Sequence, residues 1–213
     1  HLWRLAVQMG TRDKGQGTRQ QVGPLAPIWV GPDDVTWIEH LMKRWGLDAA
    51  KRLVVLCPGA RSHIKRWEGS RFAQLADRLI AEEDVEVVFS GEPDEGELIN
   101  EVREQMTHRA HTAGGSTTLT QVAALMQRSA LVMTNDSASL HLACAVGAPV
   151  VALFGPTDET KYGPTGARDR VLRRRLFCAP CEQALCRFHH ECMRFVGVDE
   201  VYAAACQLLH GER

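Results

Sequence analysis

LVMTNDSASLHLACAVGAPVVALFGPTD, residues 131–158, is the stretch whose reading decides the fold. LVMT (131–134) is a short buried-strand pattern. SLHLACAVG (139–147) has helical periodicity and stops at Gly147, and PVVALF (149–154) is a second continuous apolar run. Strands that are apolar on both faces and separated by helices belong to a parallel sheet covered on both sides.

The same alternation extends outward. RLVVLC (52–57) and VEVVF (85–89) read as strands around a helix at FAQLADRLI (72–80). A charged helix over 94–105, a weak strand near 108–112 and a helix from Leu119 to Met126 follow. Towards the amino terminus, Pro32-Asp33-Asp34 opens a helix with Val35, Ile38, Leu41, Met42 and Trp45 on one face, stopped by Gly46. The expected fold is α/β, a Rossmann-like doubly wound parallel sheet. Its strand-to-helix loops collect at one edge, where open α/β sheets bind ligands. Those loops are 58–67, 90–95, 112–118, 134–139 and 154–159, all rich in Gly, Ser, Thr and charge.

Composition sets bounds on function. The 213 residues are 45% hydrophobic and 24% charged, which is ordinary globular usage and excludes disorder, collagen and coiled coil. Lys and Arg number 25 against 26 Asp and Glu, so no global basic field recruits nucleic acid. No apolar run reaches the length of a membrane span. The chain begins at His1, with no charged region followed by an apolar one, and reads as a trimmed chain or a fragment of a longer one in a reducing cytoplasm. Residues 12–24 are polar and glycine-rich, as in a link.

Three of the loops carry chemistry. In the fourth, Asn135, Asp136, Ser137 and Ala138 sit between strand and helix. Asp136 or Ser137 can cap that helix, whose free amides and positive dipole end also suit a diphosphate. His141 lies on its first turn, on the same face as the cap. The first loop has Gly59 with Arg61, His63, Lys65 and Arg66, cations suited to phosphate oxygens or simply a solvated basic loop. The second offers Glu92 and Glu95, which could bind sugar or ribose hydroxyls or complement a helix dipole. Neither G-x-G-x-x-G nor a P-loop is present, which argues against dinucleotide cofactors and against a nucleotide-sugar epimerase.

In order along the chain, PGAR, KRW, FAQLADRL, VVFSGEPDE, the 119–158 segment and YGPTG resemble the carboxyl-terminal, donor-binding half of the ADP-heptose:lipopolysaccharide heptosyltransferases, glycosyltransferase family 9. The likeness runs from about Pro24 to Leu209, and the cysteine-rich tail looks most like the heptosyltransferase II branch. The resemblance implies a GT-B enzyme of two Rossmann-like domains. Residues 1–24 would be the end of an amino-terminal acceptor domain and a linker, and 25–213 the domain that binds the ADP-sugar. It implies inverting transfer of heptose from ADP-heptose to the lipopolysaccharide inner core, with no cofactor or metal required. Lys65 of the K-x-W motif would act on the donor, with Asp136, His141 and Ser137 beside it and the second-loop acid at Glu92 or Glu95. Two positions depart from the family pattern: Glu68 stands where Pro is usual, and Ala138 where Gly is. The acceptor domain, with its catalytic base, is not in this sequence, so the chain alone should bind donor and transfer poorly. A nucleotide-sugar-binding module without transferase activity is the alternative.

Two further features stand outside that reading. Cys178, Cys181, Cys186 and Cys192 form C-x2-C-x4-C-x5-C, spaced for a tetrathiolate metal site, for a reduced loop or for adventitious disulfides. Arg168, Arg170, Arg173, Arg174 and Arg175 form a basic run. It could face lipopolysaccharide phosphates or the cytoplasmic leaflet as a peripheral contact, and its plainer reading is a solvated edge.

Overall fold

The computed structural model describes residues 28–115 and 117–211. The expected linker and domain end at 1–24 lie outside the described residues. Six strands form one sheet: β1 (Arg52–Cys57), β2 (Val85–Phe89), β3 (His111–Thr112), β4 (Leu131–Asn135), β5 (Val150–Phe154) and β6 (Arg170–Arg173). Their order is β3-β2-β1-β4-β5-β6 and every neighbouring pair is parallel.

Helices cover both faces because the strands are apolar on both. Val54, Leu56, Val87, Phe89, Met133 and Leu153 pack on one side. That layer holds α2 (Gly69–Glu83), α3 (Gly96–Glu104), the short α7 (Glu191–Arg194) and α8 (Val198–Leu209). Val55, Cys57, Val88, Val132, Ala152 and Phe154 face the other side. There they meet α1 (Pro32–Trp45), α4 (Leu119–Arg128) and α5 (Ala138–Ala145). A single-turn helix, α6 (Glu159–Tyr162), follows β5. The alternation of neighbouring residues between two cores is the period of two expected of a strand buried on both sides.

The doubly wound expectation holds, with local differences. The charged helix begins as a 3-10 turn at Pro93–Glu95, with Pro93 in the first turn, where its missing N–H costs nothing, and turns α-helical only at Gly96. Part of the basic run is a strand: Arg170–Arg173 extend the sheet beside β5, each residue half-exposed. An edge strand of this kind has no apolar run to announce it.

The topology fixes where a ligand can bind. The chain leaves β1 towards β2 and β3, then crosses back to place β4 on the other side of β1. The loops after β1 and β4 therefore part in opposite directions and open a crevice at the carboxyl edge of the sheet.

Candidate functional site

The β1 loop is held by two buried anchors. Ile64 and Trp67 are 3% and 2% exposed, and the 3-10 turn centred on Ile64 (His63–Lys65) sets Lys65 between them. Trp67 is fixed at both ends: its indole Nε1 donates to the Val196 carbonyl at 2.9 Å, and its backbone amide donates to Asn135 Oδ1 at 3.1 Å. Asn135 in turn donates through Nδ2 to the carbonyls of Pro58 (2.8 Å) and Gly59 (3.2 Å). Asn135 is fully buried, so this expected ligand contact instead ties the end of β4 to the β1 loop.

Asp136 differs from expectation as well. Neither it nor Ser137 caps α5 through its side chain. Asp136 Oδ2 instead accepts from Lys65 Nζ at 2.7 Å and from Thr157 Oγ1 at 2.7 Å, while Ser137 Oγ shares a hydrogen bond with Thr134 Oγ1. A buried carboxylate gains more from an ammonium and a hydroxyl than from one more backbone amide. The first turn of α5 is thereby left without a side-chain cap. Thr157 lies in the loop after β5 and is 8% exposed. Sequence reasoning marked that loop but not this residue, because a single threonine carries no spacing signal.

His141, exposed near the start of α5, is near enough to Asp136 and Lys65 for both charges to act on it. Desolvation pushes its pKa below the usual histidine value, Asp136 pulls it back up and Lys65 lowers it again, so all three side chains share one electrostatic neighbourhood.

The two acids of the second loop separate. Glu95 is buried, accepts from the Glu92 amide at 2.9 Å and lies over Gly59. A Cβ on Gly59 would fall 2.0 Å from the Glu95 carboxyl, so glycine is required for that approach. Burial raises the Glu95 pKa, opposed by the Glu92 amide and by Arg66. Glu92 is half-buried, its pKa raised by desolvation and by Asp94 and lowered by Arg61. It is the more exposed of the two acids. Arg61 is exposed at the rim, whereas Arg66 Nε donates back to the Ala60 carbonyl at 2.8 Å and braces its own loop.

The basic run is largely engaged with the chain itself. Arg173 pairs with Glu159 at 2.7 Å, Arg174 with Glu200, and Arg170 donates to the carbonyls of Arg168 and Asp169. All seven cysteines are free thiols. Among the described residues, the side chains whose ligand atoms converge within 4.8 Å are Glu83, Cys206 and His210, not the cysteines of 178–192. No helix among the described residues is long and apolar enough to cross a membrane.

Comparison with known proteins agrees with this geometry. Residues 34–191 match glycosyltransferase family 9 (heptosyltransferase). The lipooligosaccharide heptosyltransferase 2 of Campylobacter jejuni is 32% identical over 165 residues, 75% of this chain and 51% of that protein. The lipopolysaccharide heptosyltransferase 2 of Escherichia coli K12 is 31% identical over 139 residues, 63% of this chain and 40% of that protein. The chain thus spans about half the length of the curated relatives it matches. Among solved structures, a family 9 glycosyl transferase from Veillonella parvula superposes with a TM-score of 0.80 at 27% identity, covering 98% of this chain and 58% of its own. The E. coli ADP-heptose LPS heptosyltransferase II superposes with a TM-score of 0.72 at 25% identity, covering 87% and 54%. A Rossmann-like sheet with Lys65, Asp136 and His141 gathered at one crevice, matched across most of its length, belongs to glycosyltransferase family 9.

Proposed function

We propose that this domain binds the diphosphate end of ADP-heptose at the crevice between β1 and β4, as the donor half of a GT-B enzyme that transfers heptose with inversion to the lipopolysaccharide inner core. The observation that carries the reading is the placement of Lys65. Its ammonium makes one contact with Asp136 among the described residues, and its side chain is 30% exposed at the crevice. Two N–H groups are thus free to meet phosphate oxygens. The uncapped start of α5 follows Asp136 directly in the chain, and Arg61 is exposed and near enough to Glu92 to lower its pKa.

The chemistry follows from charge. When the sugar–phosphate bond breaks, the β-phosphate gains negative charge while the sugar becomes oxocarbenium-like. Lys65 and the helix amides are fixed before that charge develops, and donors so aimed are worth about 3–4 kcal/mol each. They neutralise the leaving group directly, so the proposal assigns no cofactor. Asp136, buried and bonded through Oδ2 to Lys65 and Thr157, is assigned the support of Lys65 rather than the role of base for the acceptor hydroxyl. In this proposal that proton goes to a carboxylate in the amino-terminal half of the full-length protein. In this proposal Glu92, in the loop after β2, accepts from ribose hydroxyls. The reaction belongs on the cytoplasmic side of the membrane that holds the acceptor, with the enzyme associating peripherally.

Titration calorimetry tests the donor assignment. ADP is expected to bind at Lys65, ADP-heptose to bind more tightly, and UDP to bind much more weakly. Absence of ADP binding at millimolar concentration, or an equal affinity for UDP, would sink it.

A further inference from the structure

We infer that Cys178, Cys181, Cys186 and Cys192 are the four ligands of a structural metal site for a thiophilic ion, which staples the 174–190 segment to the carboxyl edge of the sheet. Between β6 and α7 the chain runs from 174 to 190 with no helix or strand. Loops of this length without secondary structure are uncommon in compact domains and call for something that holds them. Apolar burial holds only its start, where Leu176 and Ala179 pack against the core, while Phe177 is 86% exposed and Leu185 74%.

What the segment does have is thiols around one space. All four cysteines line a cavity of about 70 Å³, together with Ile64, Pro156 and His190. Cys178 and Cys181 have the two-residue spacing of a zinc knuckle. Cys192 approaches from the buried start of α7 and Cys186 from the outer part of the loop. No three of these sulfurs lie within 4.8 Å of one another. Binding would draw them inward over the cavity they already line, as metal sites in small modules form together with their fold. A set of four thiolates selects Zn²⁺ or iron over hard cations.

The staple would fasten at two points beside the donor site. The amides of Cys181 and Glu182 both donate to the Pro156 carbonyl, at 2.9 and 2.8 Å, directly before Thr157. Cys192 Sγ lies 3.0 Å from where a Cβ on Gly155 would stand, and the His190 ring meets His63 at 5.5 Å, two residues before Lys65. The ion is therefore structural, and the inference holds whichever nucleotide sugar the crevice takes.

The test uses the full-length protein, purified under reducing conditions without chelator. About one equivalent of zinc or iron per chain is expected from elemental analysis. After chelation, added Co²⁺ should give the intense thiolate-to-cobalt charge-transfer band of a tetrahedral sulfur site, and Zn²⁺ should abolish it. Cys181→Ser and Cys186→Ser should lose the metal. Cys206→Ser, in the Glu83–His210 cluster at the far edge of the sheet, should keep it. If the serine variants fail to fold, alkylation mapping of the unaltered protein decides: Zn²⁺ should protect the four cysteines and leave Cys144 and Cys206 as reactive as before. The inference is overturned by metal-free protein that gives no Co²⁺ band, by metal retained in both serine variants or lost from Cys206→Ser, or by disulfides among the four.

Discussion

Lys65 Nζ and Asp136 Oδ2 lie 2.7 Å apart across 71 residues of sequence, and their contact joins the two loops that diverge at the switch point of the sheet. The pair is asymmetric. Asp136 is buried, with 6% of its side chain exposed, whereas Lys65 keeps 30%. The carboxylate is thus a fixed support and the ammonium the part a ligand can reach.

That asymmetry predicts the effect of Lys65→Ala. The variant should lose the charge that meets the diphosphate and leave Asp136 with Thr157 alone. ADP affinity is expected to fall about 100-fold, ~2.7 kcal/mol, within the range for a charged hydrogen-bonded contact. Calorimetry on the folded variant reads this directly, and an affinity within twofold of the unaltered protein would refute the role.

What could be read beforehand, and what could not, follows from range of interaction. β4 and β5 were legible because both of their faces are buried, so each strand is one uninterrupted apolar word. β6 was not, because each of its residues is half-exposed and two are arginines. Asp136 read locally as a helix cap, and a lysine 71 residues away outcompeted that role. Glu95 read either as a ribose-binding acid at a strand end or as an acid complementing a helix dipole, and it lies in that first turn. The glycines at 59 and 91 were the available sign that its side chain would fold inward, since both leave room that a Cβ would take from it.

Asn135 is expected to matter for stability rather than for ligand binding. Its side chain satisfies two carbonyls of the β1 loop and the buried Trp67 amide. Asn135→Ala orphans all three, at ~1–3 kcal/mol for each group left unpaired. With partial relaxation the total is about 3 kcal/mol, or roughly 6–12 °C in Tm for a domain of this size. Thermal unfolding by circular dichroism would measure it, and an unchanged Tm would show that the loop is held by other contacts.

Glu95 gives a pH dependence with a definite sign. Burial raises its pKa in the folded protein above the unfolded value near 4.5. The folded state therefore holds the proton more tightly. The stability this provides is complete below the unfolded pKa and is lost as pH rises through the folded one. Glu95→Gln removes the cost of the buried charge, so it should raise Tm at pH 7 relative to the unaltered protein and change it little at pH 4. Equal shifts at both pH values would mean that the carboxyl is already ionised at no cost.

Thr157 is the residue whose contribution is read most cleanly by substitution. Its hydroxyl donates to the same oxygen of Asp136 that accepts from Lys65. Thr157→Val keeps the shape and removes that donor. Asp136 would then be free to rotate and to draw Lys65 away from the crevice. ADP affinity is expected to drop about 5–10-fold, ~1–1.4 kcal/mol, the usual net value of one hydrogen bond, with Tm falling by only a few degrees. Thr157→Ser should restore binding, because it returns the hydroxyl while losing only a methyl. If serine and valine weaken binding equally, packing of the methyl group and not the hydrogen bond to Asp136 is what the site requires of this position.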